Sequence, residues 1–340
     1  MKTMKWKFTA VLTLALLLPP PLLRAQSHAV RPTPELELIV LGSGGPRSFG
    51  RASTSYLVLV EGVPRVLVDA GPGAFQAVGK LGLNLDRVDI VLLTHLHIDH
   101  SADLPAIFLD RSLTSDAPIH FRVFGPEGAG LFPSASQFVH LLLDHNGAYE
   151  YQKTFGQDEQ IDTVDLPTAL NSPAREIVSD AELKVIAIAT HHGDCPSVAY
   201  RINYKGESVT FSGDMDSSAL ENLQTLAQDT DLLVFHAAVL DPPGSPEILY
   251  TLHTPPRQIG KAARAAHARQ LLLSHIAPAI EEQQSAVMRS VAASYRGKVT
   301  FARDGMHISA RSASAHARRR LRTEIGGRSQ LQTQLDWQTD

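Results

Sequence analysis

His95, His97, Asp99 and His100 crowd into six consecutive positions immediately after the apolar run Ile90 to Thr94. Side chains of an extended chain alternate, so His95 and His97, two apart, point to the same side at the end of that run and can bind one metal. Asp99 and His100 follow where the chain must bend, and adjacent ligands there can face a second metal beside the first. Imidazole and carboxylate suit zinc or another divalent first-row ion, manganese and iron included. Four such groups are costly to bury unpartnered. The segment therefore dictates a buried strand whose end opens into a polar, metal-holding site.

With 340 residues, 44% hydrophobic and 19% charged, the chain can bury one large core or two modest ones. A formal net charge of −4 provides no broad basic field for long nucleic acids, so a small-molecule substrate is the expected partner. The single cysteine, Cys195, cannot form an internal disulfide and leaves the redox compartment undefined.

Residues 1–25 carry Lys2, Lys5 and Lys7, an apolar run from Phe8 to Leu18, a break at Pro19-Pro20-Pro21 and then Leu23-Arg24-Ala25. That is the layout of a secretory signal peptide. The run is shorter than the ~20 residues of a spanning helix. The mature protein is therefore expected to begin near Gln26, to have no membrane span and to work outside the cytoplasm, in a bacterial periplasm. A homodimer is left open.

After a lead over 26–34, short apolar runs alternate with glycine-marked turns. Leu36 to Leu41, Ser55 to Val60, Arg65 to Asp69 and Ile90 to Thr94 read as strands of a buried sheet. Gly42-Ser43-Gly44-Gly45-Pro46 lacks the Lys-Ser/Thr of a phosphate-binding loop and reads as a plain tight turn. Residues 101–165 differ in character and read as an inserted cover over the sheet edge, with a strand at Ile119 to Phe124.

Further strands are expected at Leu183 to Ala189, Ser197 to Tyr204, Ser208 to Ser212, Leu232 to Phe235, Gln270 to Ser274 and Lys298 to Phe301. Helices are expected over Ser217 to Gln228, Pro256 to Arg269 and Ser285 to Ser294, the second capped by Thr254 and opened by Pro255. Strands inside and helices outside, with no low-complexity linker, argue for one α/β domain over 35–311. Residues 312–340, with Arg318-Arg319-Arg320 and Arg322, read as a mobile basic and polar tail.

More candidate ligands stand at the ends of expected strands: His191 and His192 after Val185 to Thr190, Asp214 after Val209 to Gly213, and His275 after Leu271 to Ser274. Each alone has a dull reading as a turn residue, a helix cap or a strand-end histidine. Their shared position raises them together.

The chain resembles the metallo-β-lactamase superfamily from about Leu36 to Ser309. Thr94 to His100, THLHIDH, carries the most specific match, and Val68-Asp69-Ala70-Gly71, the stretch from His192 to Arg201, Ser212-Gly213-Asp214 and Leu273-Ser274-His275 resemble the other motifs. The resemblance implies a four-layer αβ/βα sandwich and two divalent metal ions. One ion falls to His95, His97 and His192, the other to Asp99, His100 and His275, with Asp214 bridging. His192 is preferred to His191 on its spacing to Pro196 and Tyr200. Asp69 is implied to hydrogen-bond the metal-binding loop rather than to coordinate.

Asp214 resembles the bridging carboxylate of the ribonuclease Z, arylsulfatase and phosphodiesterase branches, whereas true β-lactamases place cysteine or serine there. Tyr200-Arg201-Ile202 and Leu252-His253-Thr254-Pro255 also resemble ribonuclease Z. Only Ile202 to Phe211 occupies the interval that holds the transfer-RNA-binding arm in those enzymes. Phe235-His236-Ala237-Ala238 stands where they carry His-Glu-Ala-Thr, so His236 takes the glutamate's place and is expected, with His253, to assist the leaving group.

The expected activity is a hydrolase that directs a hydroxide shared by two metals at a small phosphodiester, sulfate ester, carboxylic ester or lactone. Asp99 and Asp214 would orient that hydroxide. The alternatives are a ribonuclease Z-like or cyclic-nucleotide phosphodiesterase and a non-catalytic metal-binding relative. Phe138, Tyr149, Tyr151 and Phe155 are candidate walls, and Cys195 is expected only to pack.

Overall fold

A computed structural model describes residues 35–311, except 48, 116 and 156–158. The leader expected over 1–25, the lead over 26–34 and the tail over 312–340 lie outside the described residues.

The first sheet contains β1 (Leu36–Gly42), β2 (Ser55–Val60), β3 (Val63–Ala70), β4 (Ile90–Leu92), β5 (Ile119–Pro126), β6 (Glu159–Leu166) and β14 (His307–Ser309), in the order β14-β1-β2-β3-β4-β5-β6. The second contains β7 (Arg175–Asp180), β8 (Leu183–His192), β9 (Cys195–Tyr204), β10 (Glu207–Phe211), β11 (Leu232–His236), β12 (Gln270–Ser274) and β13 (Lys298–Phe301), in the order β13-β12-β11-β10-β9-β8-β7. Each sheet is antiparallel on one side and parallel on the other: β3 to β6 run parallel in the first, β10 to β13 in the second.

Eight α-helices complete the described chain: α1 (Ala74–Leu81), α2 (Ile98–Ser101), α3 (Leu104–Thr114), α4 (Ala135–Leu143), α5 (Leu220–Leu226), α6 (Pro256–Ala265), α7 (Pro278–Glu282) and α8 (Gln284–Ala292). Strand alternation divides the apolar residues into three layers of core. Leu38, Val58 and Val66 meet Val185, Val209 and Val234 between the sheets. Ile39, Leu57 and Leu67, on the other face, pack against Val78 of α1, Phe108 of α3 and Val139 of α4. Leu233, Phe235 and Leu271 meet Leu223 of α5, Ile259 of α6 and Val287 of α8. Central strands covered on both faces are why their sequences are continuous apolar runs. The result is a four-layer αβ/βα sandwich.

Two local expectations are corrected. The 101–165 segment is not a cover laid over an edge, because β5 and β6 extend the first sheet by parallel pairing, with α3 and α4 on its outer face. The sixth helix is entered one residue later than expected, with Pro255 as cap and Pro256 as the first helical residue. Thr254 instead sends its hydroxyl to the Met215 carbonyl, 2.9 Å away, tying this loop to the one that carries Asp214.

Candidate metal centre

Loops leaving β3, β4, β8, β10, β11 and β12 converge at one end of the sandwich. Asp69, in the turn-forming end of β3, organises the first of them. Its Oδ1 accepts from the Thr94 amide at 2.7 Å, and its Oδ2 accepts from the Thr94 hydroxyl and from His100 Nδ1, both at 2.8 Å. Its backbone lies in the left-handed region, φ 56°, a strained setting that costs about 1–3 kcal/mol and persists where surrounding contacts over-determine it.

The same bonds fix ring tautomers. Thr94 Oγ1, having given its proton to Asp69, accepts from His95 Nδ1 at 3.1 Å. His100 Nδ1 donates to Asp69, and His192 Nδ1 donates to the Leu252 carbonyl at 2.7 Å. In all three the remaining Nε2 turns inward, the arrangement that metal-binding histidines take from their supporting partners. For His100, burial is outweighed by Asp69 and Asp214, which hold it well above the ordinary imidazole range, so a bound cation would displace its second proton. His191, next in the alternation of β8, points elsewhere and holds Asp216 at 2.8 Å.

Inward-facing atoms form two clusters. His95, His97 and His192 make one: His97 Nδ1 stands 3.1 Å from His95 Nε2 and 3.2 Å from His192 Nε2. Asp99, His100 and His275 make the other, with Asp99 Oδ2 3.2 Å from His275 Nε2 and 3.5 Å from His100 Nε2. Between them lies Asp214 Oδ2, 3.2 Å from His275, 3.7 Å from His100 and His192, and 4.0 Å from His95. Gly213, at φ 60°, gives Asp214 this place; a Cβ there would come within 2.9 Å of Thr94 Cβ.

The donor set fits divalent metal. His100 Nε2 is buried without a hydrogen-bond partner, as are His253 Nδ1 and His275 Nδ1, and unmet donors or acceptors in such a setting are expensive. Burial, with His100 nearby, holds His95 well below the ordinary imidazole range; burial and neighbouring charges also lower His97 and His192. These rings are thus neutral, as ligands must be. Burial disfavours charge on Asp214, but His275, His253 and His100 outweigh it and hold its carboxyl well below the usual range. For His275, burial is outweighed by Asp214 and Asp99, and its pKa rises to about 9. Protons held there are ones a bound cation would displace.

The two remaining expected residues take distinct places. His253 turns Nδ1 to within 3.9 Å of Asp214 Oδ2, and burial lowers its pKa to about 3; together with His192 and Asp214 it forms a further candidate ligand cluster. His236 does not face a leaving group as expected. It is almost wholly buried, with Nδ1 2.6 Å from Asp214 Oδ1 and Nε2 3.1 Å from the Tyr56 hydroxyl. Both ring nitrogens are occupied, so its place is behind Asp214.

Of the aromatic walls expected from the sequence, Phe138 packs on the outer core of the first sheet, while Tyr151 contacts both Tyr149 and Phe155. The aromatic ring that does meet the centre is Phe132, edge-on to His97 at 5.5 Å between centroids. Tyr56 and Phe132 carried no motif that singled them out.

Residues 64–276 match the family model described as the beta-lactamase superfamily domain. The chain belongs to the metallo-β-lactamase superfamily. Within that superfamily, it is 28% identical over 287 residues to ribonuclease Z of Mycobacterium bovis (strain BCG / Pasteur 1173P2), covering 79% of this chain and 96% of that protein. Human tRNase Z, short form, has the same fold, with a TM-score of 0.61 and 20% identity over 81% of this chain and all, 100%, of that one. So has zinc-bound PqqB from Methylobacterium extorquens, at TM-score 0.53 and 18% identity over 80% and 99% of the two chains. Membership of the superfamily and the ribonuclease Z relatives make this protein a metal-dependent hydrolase of ester bonds.

Proposed function

We propose that the protein hydrolyses small phosphodiesters at a two-metal centre held by His95, His97 and His192 on one side, Asp99, His100 and His275 on the other, and Asp214 between. The observation that carries this reading is the position of Asp214 Oδ2, within 4.0 Å of ring nitrogens from both clusters. Zinc is the proposed metal, the donor set being rich in imidazole, and the similar PqqB structure contains it.

Divalent metal held by these residues would supply Lewis acidity and a water of lowered pKa. The residues do the rest. Asp214 and Asp99 are ionised acceptors that orient the attacking water by its protons. His236 and Tyr56 hold Asp214 from behind, so its Oδ2 keeps one orientation. His253, neutral at physiological pH, donates a hydrogen bond to the departing oxygen. The Leu252 carbonyl and Asp69 fix the rings that position the ions.

Transfer-RNA maturation is the second reading, favoured by the long alignment with ribonuclease Z. Against it weighs the short connection of β9 to β10, Lys205 and Gly206, in the interval where the resemblance would place a transfer-RNA-binding arm. The proposal also takes residues 1–25 as a cleaved leader and the periplasm as the place of action, which N-terminal sequencing of a periplasmic fraction tests.

The deciding experiment measures bound metal and activity together. Purified protein should hold about two divalent ions per chain and cleave bis(4-nitrophenyl) phosphate with zinc or manganese. The proposal fails if metal content stays below one ion per chain and is unchanged in Asp214→Ala and His95→Ala. Cleavage of precursor transfer RNA without cleavage of small diesters favours the second reading.

A further inference from the structure

Three exposed apolar residues each stand one position along the chain from a residue at the metal centre or its adjoining cavity. Ile98, between His97 and Asp99, is 71% exposed. Leu131 is 99% exposed and immediately precedes Phe132, the ring in contact with His97. Ile248 is 67% exposed and precedes Leu249, which lines a cavity of about 170 Å³ shared with His253 and His275. These residues come from three separate segments: the first residue of α2, the turn before Phe132, and a 3-10 turn over Glu247–Thr251. Single exposed apolar residues need no explanation, but three that each adjoin a residue of one centre are candidates for the rim of its binding surface.

The cavity has the same character. Leu249, Ile276, Ala238 and Pro278 form walls beside the two histidines, and among the described residues Arg47 is the one permanently charged residue lining it. One cation and an apolar wall match an anionic reacting centre carrying a compact apolar group. A polynucleotide would instead need several cations to follow its phosphates.

Resting on the phosphodiesterase reading above, we infer that the substrate is an anionic ester with an alkyl or aryl group, which lies along Leu249, Ile276 and the Ile98, Leu131 and Ile248 rim while Arg47 faces the anion. The occupant is thus the apolar arm of the substrate, continuous with the centre that cleaves it.

Binding and turnover test this separately, using the full chain loaded with zinc. By titration calorimetry, hexylphosphonate should bind at least about tenfold more tightly than methylphosphonate, since each buried methylene adds to affinity. The double variant Leu131→Ser/Ile248→Ser, changed only at exposed positions, should abolish most of that preference and leave methylphosphonate affinity unchanged. Arg47→Ala should weaken both ligands by a similar factor. In turnover, hexyl 4-nitrophenyl phosphate should exceed both the methyl diester and thymidine 5′-(4-nitrophenyl phosphate) in kcat/KM.

Equal affinity for the two phosphonates, or a preference for the nucleotide diester, overturns the inference while leaving diester hydrolysis standing. Absence of hydrolysis of every diester, with the phosphonate order retained, overturns the function and not the apolar site. Sedimentation velocity covers other occupants: a dimer, or binding to lipid vesicles, that the double variant removes without changing phosphonate affinity assigns the rim elsewhere and overturns the inference.

Discussion

His236 Nδ1 and Asp214 Oδ1 lie 2.6 Å apart, and the Tyr56 hydroxyl closes the line at 3.1 Å from His236 Nε2. Burial pushes the Tyr56 hydroxyl far above its ordinary pKa, so it keeps its proton and donates to Nε2, leaving Nδ1 to donate to Asp214. The bridging carboxylate thereby has one oxygen anchored and one directed at the metals. His236→Leu should lower zinc affinity and kcat by about 10- to 100-fold, the scale for partners that orient ligands. Tyr56→Phe keeps the ring against Phe211 and should produce a smaller loss in the same direction. Zinc affinity from competition with a chromophoric chelator, beside kcat, checks both; unchanged affinity in His236→Leu refutes the arrangement.

Asp69 carries a structural burden that its distance from substrate does not suggest. It is fully buried and accepts from Thr94 twice and from His100 once. Asp69→Ala strands the Thr94 amide and the His100 ring, and an unmet buried partner costs about 1–3 kcal/mol. Urea unfolding of the metal-free protein should therefore show a loss of that order or more, together with lost zinc binding. A variant as stable as the parent contradicts this account.

How far the sequence revealed this site depended on distance along the chain. His95 to His100 are adjacent residues after an apolar strand, so strand geometry alone brought them together. His192, Asp214 and His275 were visible as polar residues at strand ends, but their convergence needed the family resemblance. Tyr56 and His236 come from β2 and β11 of facing sheets, 180 positions apart, and no local pattern announces such a contact. The missed strands β6 and β7, like the missed three-residue β14, are sheet edges. With sequences EQIDTVDL and REIVSD they lack the apolar runs of central strands, because an edge is not covered like the middle of a sheet. That is why 101–165 looked like an addition to the sheet when it supplies part of it.

His253 should show its role through the leaving group. Nitrophenolate departs readily without help, whereas an alkoxide needs a hydrogen bond as charge develops on it. His253→Ala should therefore reduce kcat on an alkyl diester by about 100-fold, the scale of a lost oxyanion donor, and reduce it less on a nitrophenyl diester. Equal losses on both substrates point to metal binding as its main contribution, which zinc stoichiometry of the same variant would register.

Gly45 tests how tightly the centre is packed. A Cβ at this position would stand 2.6 Å from His275 Cε1, closer than nonbonded atoms tolerate, so Gly45→Ala must displace the imidazole or the loop. His275 is itself held in the left-handed region, φ 54°, and has little freedom to yield. Weaker zinc binding is expected with only a modest change in urea midpoint, because the clash falls at the mouth and not in the three apolar cores. Unaltered zinc affinity in a folded variant would show that the ring has room to move.

Cys195, paired with His192 across the β8–β9 turn, gives a pH-dependent readout although it is not itself an expected ligand. Burial raises its thiol pKa from 9.0 to about 12, and only the thiolate reacts. Below pH 9 the thiolate fraction is therefore lower by roughly 1000-fold than for an ordinary thiol, on top of steric shielding. Ellman's reagent should not label the native protein at pH 8 and should label one thiol per chain once urea unfolds it, since the chain has one cysteine. Linkage fixes the sign for stability: a raised folded pKa contributes stability that is fully present below 9.0 and disappears as pH rises toward about 12. Between pH 9 and 11 the parent should lose more of its urea midpoint than Cys195→Ala does. Parallel losses in the two proteins would show that the thiol ionises as readily folded as unfolded.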